Sequence, residues 1–347
     1  MKTEDTVLSG SEPKRMLVIG NGFDLDLGYK TGYKDFVAND NPVGEGRFPF
    51  VEKGKDSHTL GKFILRCKDI NSWYDLEKAL AEFGRIDPAK EYKRLLNEVT
   101  SKGDVFFTVG NIVDKLLRRL NKGKGTKDRI RGDEADYNRL IQSIQAYLSS
   151  VDLDHPREDS AAARLLKAFC ASCAGPQIFS FNYTDLVRIG NALGVAVGNP
   201  VYVHGALKDG SVVLGVGDYV EMRDSANYLY KTSSEGYRSS KLLESLDTCD
   251  EVYIFGLSLS QVDYPYFEDY LSRIASGAYG HARKYIRIFT LDDASRLDIL
   301  RNLRSMNKSM IKLMDYADID IIRTAGSVDE AKLLPILVRL QSGPSVS

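Results

Sequence analysis

The sequence predicts an α/β protein whose mostly parallel sheet is flanked by helices, with a helical lobe inserted after the first strand. Three observations predict it. A short apolar run, residues 16–19, ends in Gly20-Asn21-Gly22, as a buried parallel strand leading into a tight loop does. From about Tyr33 to Gly175 the apolar periodicity is mainly helical, and beyond Gly175 short apolar runs return with helical stretches between them. A sheet of this kind, ending its first strand in a glycine loop, is Rossmann-like.

The elements follow in order. Residues 16–19 are the first strand. In the inserted lobe, Trp73, Leu76, Leu80 and Phe83 share one helical face, and Leu140, Ile144, Tyr147 and Leu148 form a second stripe. Between them, residues 121–136 are charged, contain glycine and lack apolar periodicity, which predicts a mobile surface loop. Strands are expected at 178–181, 201–203, 212–214, 252–255, 285–291 and 319–322. The last segment, 329–341, is an amphipathic helix that Pro335 should kink or break. We read residues 14–342 as a single domain, 37–175 as the helical insertion lobe within it, and 1–13 as a flexible N-terminus.

Composition narrows the function classes. A chain of 347 residues with 43% hydrophobic content can bury a large core. Its 47 Lys and Arg nearly balance its 48 Asp and Glu, so the whole molecule has no net field for nucleic acid or an anionic membrane. No run approaches the roughly 20 apolar residues of a membrane helix, and the polar, acidic N-terminal residues are unlike a signal peptide, so a cytoplasmic location is expected. Cys67, Cys170, Cys173 and Cys249 are too few and scattered for a disulfide framework. Cys170 and Cys173 form one CxxC, but no second pair completes a four-thiolate zinc site, and no metal is expected.

Four segments carry candidate chemistry. In the first, Gly20-Asn21-Gly22-Phe23-Asp24, glycines permit a sharp turn and let amide N–H groups approach a pyrophosphate at a helix start. It departs from the GxGxxG dinucleotide fingerprint, because the third position is Leu25, so a standard dehydrogenase is disfavoured. Asp24 would repel phosphate; it could cap the following turn, bond a ribose hydroxyl or take part in chemistry. The second segment, a strand running into Asn182, Thr184 and Asp185, delivers these residues to the ligand-binding edge of a parallel sheet, with one of Thr184 and Asp185 expected to cap the next helix. The third is His204-Gly205: of the four histidines, His58 and His155 lie in polar, loop-like contexts, His281 precedes a strand, and His204 alone stands where a parallel-sheet site would place it. The fourth is Gly256-Leu257-Ser258, with Asp263 downstream, suited to phosphate or ribose or else an ordinary strand-to-helix turn. Glu77, one turn after Trp73, is read as a surface residue.

In their order and spacing, LVIGNGFDLDLGYKTGYKDF, WYDLEKAL, FSFNYTD with YVHG downstream, and IFGLSLSQVDYPYF resemble the AbiH family of bacterial abortive-infection proteins over most of the chain. That family in turn resembles sirtuin-like NAD-binding proteins, whose DHS-like pattern is a Gly-x-Gly loop, a strand ending in Asn, a His-Gly and a Gly-x-Ser-Leu. The resemblance implies an antiviral defence effector that takes NAD, or a related dinucleotide, as substrate and hydrolyses its N-glycosidic bond. It implies that Asn182 positions a water, that His204 is the base, and that Gly20, Gly22 and Ser258 hold phosphates and ribose; Asn21, Phe23, Thr184, Asp185, Gly256 and Asp263 are expected around the ligand, and Asp24 near the chemistry. Nicotinamide leaves a cationic ring as a neutral molecule, so the reaction needs a base and positioning but no general acid. Deacylation is disfavoured, because sirtuin deacylases carry two CxxC pairs. A phage-derived trigger and a homo-oligomer are further partners that this biology admits. Two other classes stay open: a non-catalytic nucleotide-binding sensor, and a metal-dependent phosphodiester hydrolase built on Asp24, Asp26, Asp218 or Asp263.

Overall fold

The apolar run after Lys14 forms a strand buried on both faces, which is the environment of a central strand in a parallel sheet. The computed structural model of the protein describes residues 13–38, 59–66, 70–85, 126–172, 176–280, 283–307, 309–325 and 329–341. Six strands, β1 (Arg15–Ile19), β2 (Gln177–Ser180), β3 (Val201–Tyr202), β4 (Glu251–Phe255), β5 (Lys284–Thr290) and β6 (Ala317–Arg323), make one sheet in the order β3-β2-β1-β4-β5-β6. Every pairing is parallel, with Leu17 opposite both Ile178 and Tyr253. The expected Rossmann-like α/β sheet is therefore present. From β1 the chain moves outward to β3, returns, and builds β4 to β6 on the other side. The direction of winding reverses between β1 and β4, the place in an open parallel sheet where ligands bind.

Period-two alternation divides the strand side chains between the two faces. On one face Leu17, Ile19, Tyr253, Phe255, Phe289 and Ile322 join a cluster with the helices Ala161–Ser172, Leu186–Ala192 and Glu330–Gln341. On the other, Val252, Ile254, Ile286 and Ile288 meet Phe267 and Leu271 of the helix Tyr264–Ala275 and Leu303 of the helix Asp293–Met306. Each fully buried side chain of this size contributes about 1.5–3 kcal/mol of transfer free energy, so covering both faces fixes the register of the whole sheet.

The described residues divide into two compact units: the sheet-bearing unit within 1–31, 151–209 and 238–347, and a second within 32–150 and 210–237. In the second, Leu76, Leu80 and Phe83 of the helix Trp73–Arg85 are buried as one face, and Trp73 packs edge-on against Tyr33, 5.4 Å between centroids. Leu140, Ile144, Tyr147 and Leu148 are buried along the helix Thr126–Ser149.

Several elements differ from the sequence expectation. Residues 126–136, expected as a surface loop, belong to the helix Thr126–Ser149; residues 121–125 lie outside the described residues. Two of the charges there hold a helix start: Asp133 and Asp136 are buried and accept from the amides of Leu60 (3.0 Å) and Gly61 (2.9 Å), satisfying the first turn of the helix Thr59–Arg66. Glu77 is likewise buried, paired with Lys231 Nζ at 2.9 Å, because segment 210–237 covers that edge of its helix. Residues 212–214 are buried but form no strand; the Leu214 carbonyl is bound by the Tyr137 hydroxyl instead of a neighbouring backbone. The helix Glu330–Gln341 continues through Pro335, which sits on its exposed side while Leu333, Ile336, Leu337 and Leu340 hold the other side in the core. The N-terminal segment 1–12, His58, Cys67, Cys173 and His281 lie outside the described residues.

At the amino end of the sheet one carboxylate ties three elements together. Glu251, 1% exposed, accepts from Arg15 Nε (3.0 Å), Tyr253 Oη (2.7 Å) and Arg339 Nη2 (2.6 Å), joining β4 to β1 and to the last helix. Burial alone would raise its pKa, but the bonds from Arg339 and Tyr253 and the two guanidinium charges outweigh it and hold the carboxyl below the usual glutamate value. A depressed acid stabilises the fold above its unfolded pKa and loses that contribution as pH falls through the folded value. Glu251→Ala should cost about 3–5 kcal/mol at neutral pH, and Glu251→Gln should remove the part of the acid destabilisation below pH 4.5 that this group contributes, both read by urea unfolding across pH.

Candidate functional site

The loop after β1 and the loop after β4 touch backbone to backbone. A Cβ on Gly22 would lie 2.6 Å from Gly256 Cα, one on Gly20 would lie 2.8 Å from the Gly256 carbonyl oxygen, and one on Gly256, whose φ is +70°, would lie 2.4 Å from Phe23 N. Only glycine fits such contacts. The amides in this turn are committed: Gly20 N donates to Phe255 O (2.8 Å), Gly22 N to Gly256 O (3.0 Å) and Phe23 N to Gly20 O (2.9 Å). The two glycines thus bring β1 and β4 together at the reversal of strand order, with Phe23 fully buried beneath, edge-on to Phe255 at 5.5 Å.

Asp24, in the first turn of the short helix Asn21–Asp26, points inward and is 1% exposed. Its Oδ1 accepts from Asn182 Nδ2 (2.8 Å) and its Oδ2 from Thr184 Oγ1 (2.8 Å), and Asn182 Nδ2 also donates to Gly20 O (2.9 Å). Both amide hydrogens of Asn182 are therefore used in holding the β1 loop to the β2 loop, and Asp24 is not a cap. Asn21 is anchored by the Thr31 hydroxyl at 2.9 Å. Burial lifts the Asp24 pKa to about 7, against the lowering effect of its hydrogen bonds from Thr184 and Asn182. The cap of the next helix, Leu186–Ala192, is Asp185, which accepts from Val187 N (3.0 Å) and Arg188 N (3.4 Å); Thr184 serves Asp24.

His204 follows β3, 8% exposed, before Gly205 at φ +79°. Its Nε2 lies 2.9 Å from the Tyr266 hydroxyl, and its ring stands edge-on to Phe181 at 5.1 Å. Sequence reasoning missed Tyr266, although it lies within the IFGLSLSQVDYPYF segment. The loop after β4 is held by Asp263, which accepts from Ser260 N (2.9 Å) and Ser258 Oγ (3.3 Å). Between these serines Leu259 adopts φ +49°, left-handed backbone that costs a non-glycine residue roughly 1–2 kcal/mol.

A cavity of about 580 Å³ opens at the carboxyl ends of β1, β4, β5 and β6. Gly22, Leu25 and Asp26 line it from β1, Phe255 to Ser258 from β4, and Phe289 to Leu291 and Ser295 from β5 and its helix. Thr324 and Ala325 add the end of β6, and Arg157, Asp159, Ser160 and Ala161 add the start of the helix Ala161–Ser172. Asp26 accepts from Ala162 N (2.8 Å), its Oδ1 lies 3.5 Å from Arg157 Nη2, and its pKa is raised by burial. The walls are largely apolar, with Phe255 stacked on Phe289 at 5.2 Å and Leu25 and Leu291 exposed. Asn182, Thr184, Asp185, Asp263 and His204 do not line this cavity; Gly22, Gly256 and Ser258 do. The residues contributed by β5, β6 and segment 157–161 were not singled out from the sequence. Thr290 and Thr324, each at a strand end, were the available signal.

Of the four carboxylates considered as metal ligands, Asp24, Asp26 and Asp263 are bound as described, and Asp218, in the second unit, accepts from Thr232 Oγ1 at 2.7 Å. Among the described residues no three His, Cys, Asp or Glu side chains group as a metal site, and no helix is long and apolar enough to cross a membrane. Cys170 is half-buried.

The family model for "Bacteriophage abortive infection AbiH" matches residues 16–279, well over half of the chain. No curated protein and no solved structure matches it.

The Asp24 network sets a stability dependence opposite in sign to that of Glu251. An acid whose folded pKa is raised from 3.8 to about 7 stabilises the fold below pH 3.8 and loses that contribution as pH rises through about 7. Asp24→Asn can keep both bonds, so it should remove the part of the wild-type decline across this window that Asp24 contributes, on the order of 4 kcal/mol. Asp24→Ala, which orphans Asn182 and Thr184, should instead cost about 1–3 kcal/mol at pH 5. An Asp24→Asn protein with the wild-type decline would show that Asp24 is ionised throughout.

Proposed function

The chain belongs to the AbiH family of bacteriophage abortive infection, and on that premise we propose that it is a phage-defence effector that binds NAD at the β1/β4 crevice and cleaves its bond to nicotinamide. The observation that carries the proposal is the cavity at the reversal of strand order. Open parallel sheets bind nucleotides there, and its apolar walls beside serine and threonine hydroxyls suit a planar base joined to a polar sugar. The sirtuin-like order of the glycine loop, Asn182, His204-Gly205 and Gly256-Leu257-Ser258 supports the same reading.

In the reaction, the bond from ribose C1′ to the pyridinium nitrogen breaks, and its electron pair leaves with nicotinamide. Water adds to C1′ and gives up a proton, and the products are nicotinamide, ADP-ribose and that proton. His204 is the group proposed to accept it. Its ring is oriented by Phe181 and by Tyr266, whose hydroxyl lies 2.9 Å from Nε2, and it stands at the end of β3, outside the lining of the cavity. Asp24, Asn182 and Thr184 are positioning residues, whose bonds hold the β1 and β2 strand ends together beside the crevice.

A second reading is favoured by one observation: Asn182, the residue that would position water, has both amide hydrogens bonded within the protein. A nucleotide-binding sensor would use the same cavity and leave the ligand intact.

Purified protein incubated with NAD, with and without lysate from phage-infected cells, separates the two. By chromatography of nicotinamide and ADP-ribose, the wild type should hydrolyse NAD and His204→Ala should lose about 10²–10⁴ in rate. NAD that binds both proteins and is never cleaved, lysate included, would install the sensor reading in place of hydrolysis.

A further inference from the structure

We propose that the cavity selects a nucleotide whose ribose hydroxyls are free and rejects one with a phosphate on that ribose, and that Asp159 makes the distinction. The inference rests on the nucleotide reading of the cavity and names which member of that class it takes. Three charged side chains line the space: Asp26, Arg157 and Asp159. Two of them are committed to each other and to the backbone. Arg157 Nη2 donates to the Asp26 carbonyl at 2.6 Å and lies 3.5 Å from its carboxylate, and that carboxylate also accepts the amide of Ala162 at the start of the helix Ala161–Ser172. Ser160 Oγ completes the same helix start by accepting from Ala163 N at 3.1 Å.

The amides of Ala162 and Ala163 at this helix start are thus already bonded, and the one arginine on the wall is already beside a carboxylate. Asp159 is different. It is exposed, lines the cavity, and is bound by no hydrogen bond or ion pair among the described residues. The uncompensated charge facing the ligand is therefore negative. A carboxylate in that position accepts hydrogen bonds from a vicinal diol and repels a dianionic phosphate. Leu25 and Leu291, which also line the cavity, are exposed apolar groups against which a base can lie.

Calorimetric titration of the full chain with NAD, NADP, ADP-ribose and ADP-ribose 2′-phosphate tests the proposal without requiring turnover. The wild type should bind NAD and ADP-ribose at least about tenfold more tightly than their 2′-phosphorylated forms, a discrimination within reach of one partly exposed charge. Asp159→Asn should bring the ratio to within about threefold by strengthening the phosphorylated ligands, its amide oxygen still accepting a hydroxyl hydrogen. Asp159→Arg should reverse the preference. Equal wild-type affinity for both forms, or a ratio that neither variant moves, overturns the inference while leaving the nucleotide reading intact. Absence of binding by all four ligands overturns the nucleotide reading and this inference together.

Discussion

The contact on which the rest of this architecture depends is the one between two backbones, Gly20-Asn21-Gly22 after β1 and Gly256 after β4. With a separation of under 3 Å from an added Cβ to the opposite backbone, Gly20, Gly22 and Gly256 cannot carry a side chain. The amides of the β1 turn donate across to Phe255 and Gly256, so the two central strand ends are locked at one height. Everything that lines the cavity is placed relative to that lock: Leu25 and Asp26 follow it on one side, and Leu257 and Ser258 on the other. The same contact gives the glycines a structural role that operates with or without a ligand.

A second tier of buried polar bonds extends the lock toward β2 and β3. Asp24 is nearly inaccessible yet bonded at both oxygens, and its partners Asn182 and Thr184 come from the loop after β2. No cation stands among its hydrogen-bond partners, so desolvation dominates and its carboxyl is held far above the ordinary range. At the opposite end of the sheet Glu251 is as deeply buried but faces two arginines, and its pKa moves the other way. The two carboxylates show that the partner decides the sign of the shift. They also give the fold opposing pH dependences, one contribution lost toward acid and the other lost toward neutral pH.

The central strand and its glycine loop were legible because burial on both faces writes a continuous apolar run, and because glycine at a strand end has few other uses. The strand ends bearing Asn182, His204 and Gly256 were legible for the same reason. What escaped was long-range. The buried run 212–214 has strand composition but no strand beside it. Asp133 and Asp136 look like loop charges until the helix Thr59–Arg66 is laid against them. Glu77 reads as a surface residue because its partner Lys231 is distant in the chain. The far wall of the cavity escaped too, since Arg157 and Asp159 lie in an irregular polar stretch with no periodicity to mark them. Tyr266 was within a quoted motif, but only the fold turns it toward His204.

The proposed function requires a nucleotide in the crevice where the strand order reverses. Hydrogen–deuterium exchange of the full chain with and without NAD tests it directly, because a bound ligand slows opening of the backbone that it covers. Added protection is expected in the segments around Leu25, Ser160, Ser258, Leu291 and Thr324, which together line that cavity. Protection confined to other segments, under conditions where NAD binds, would contradict it.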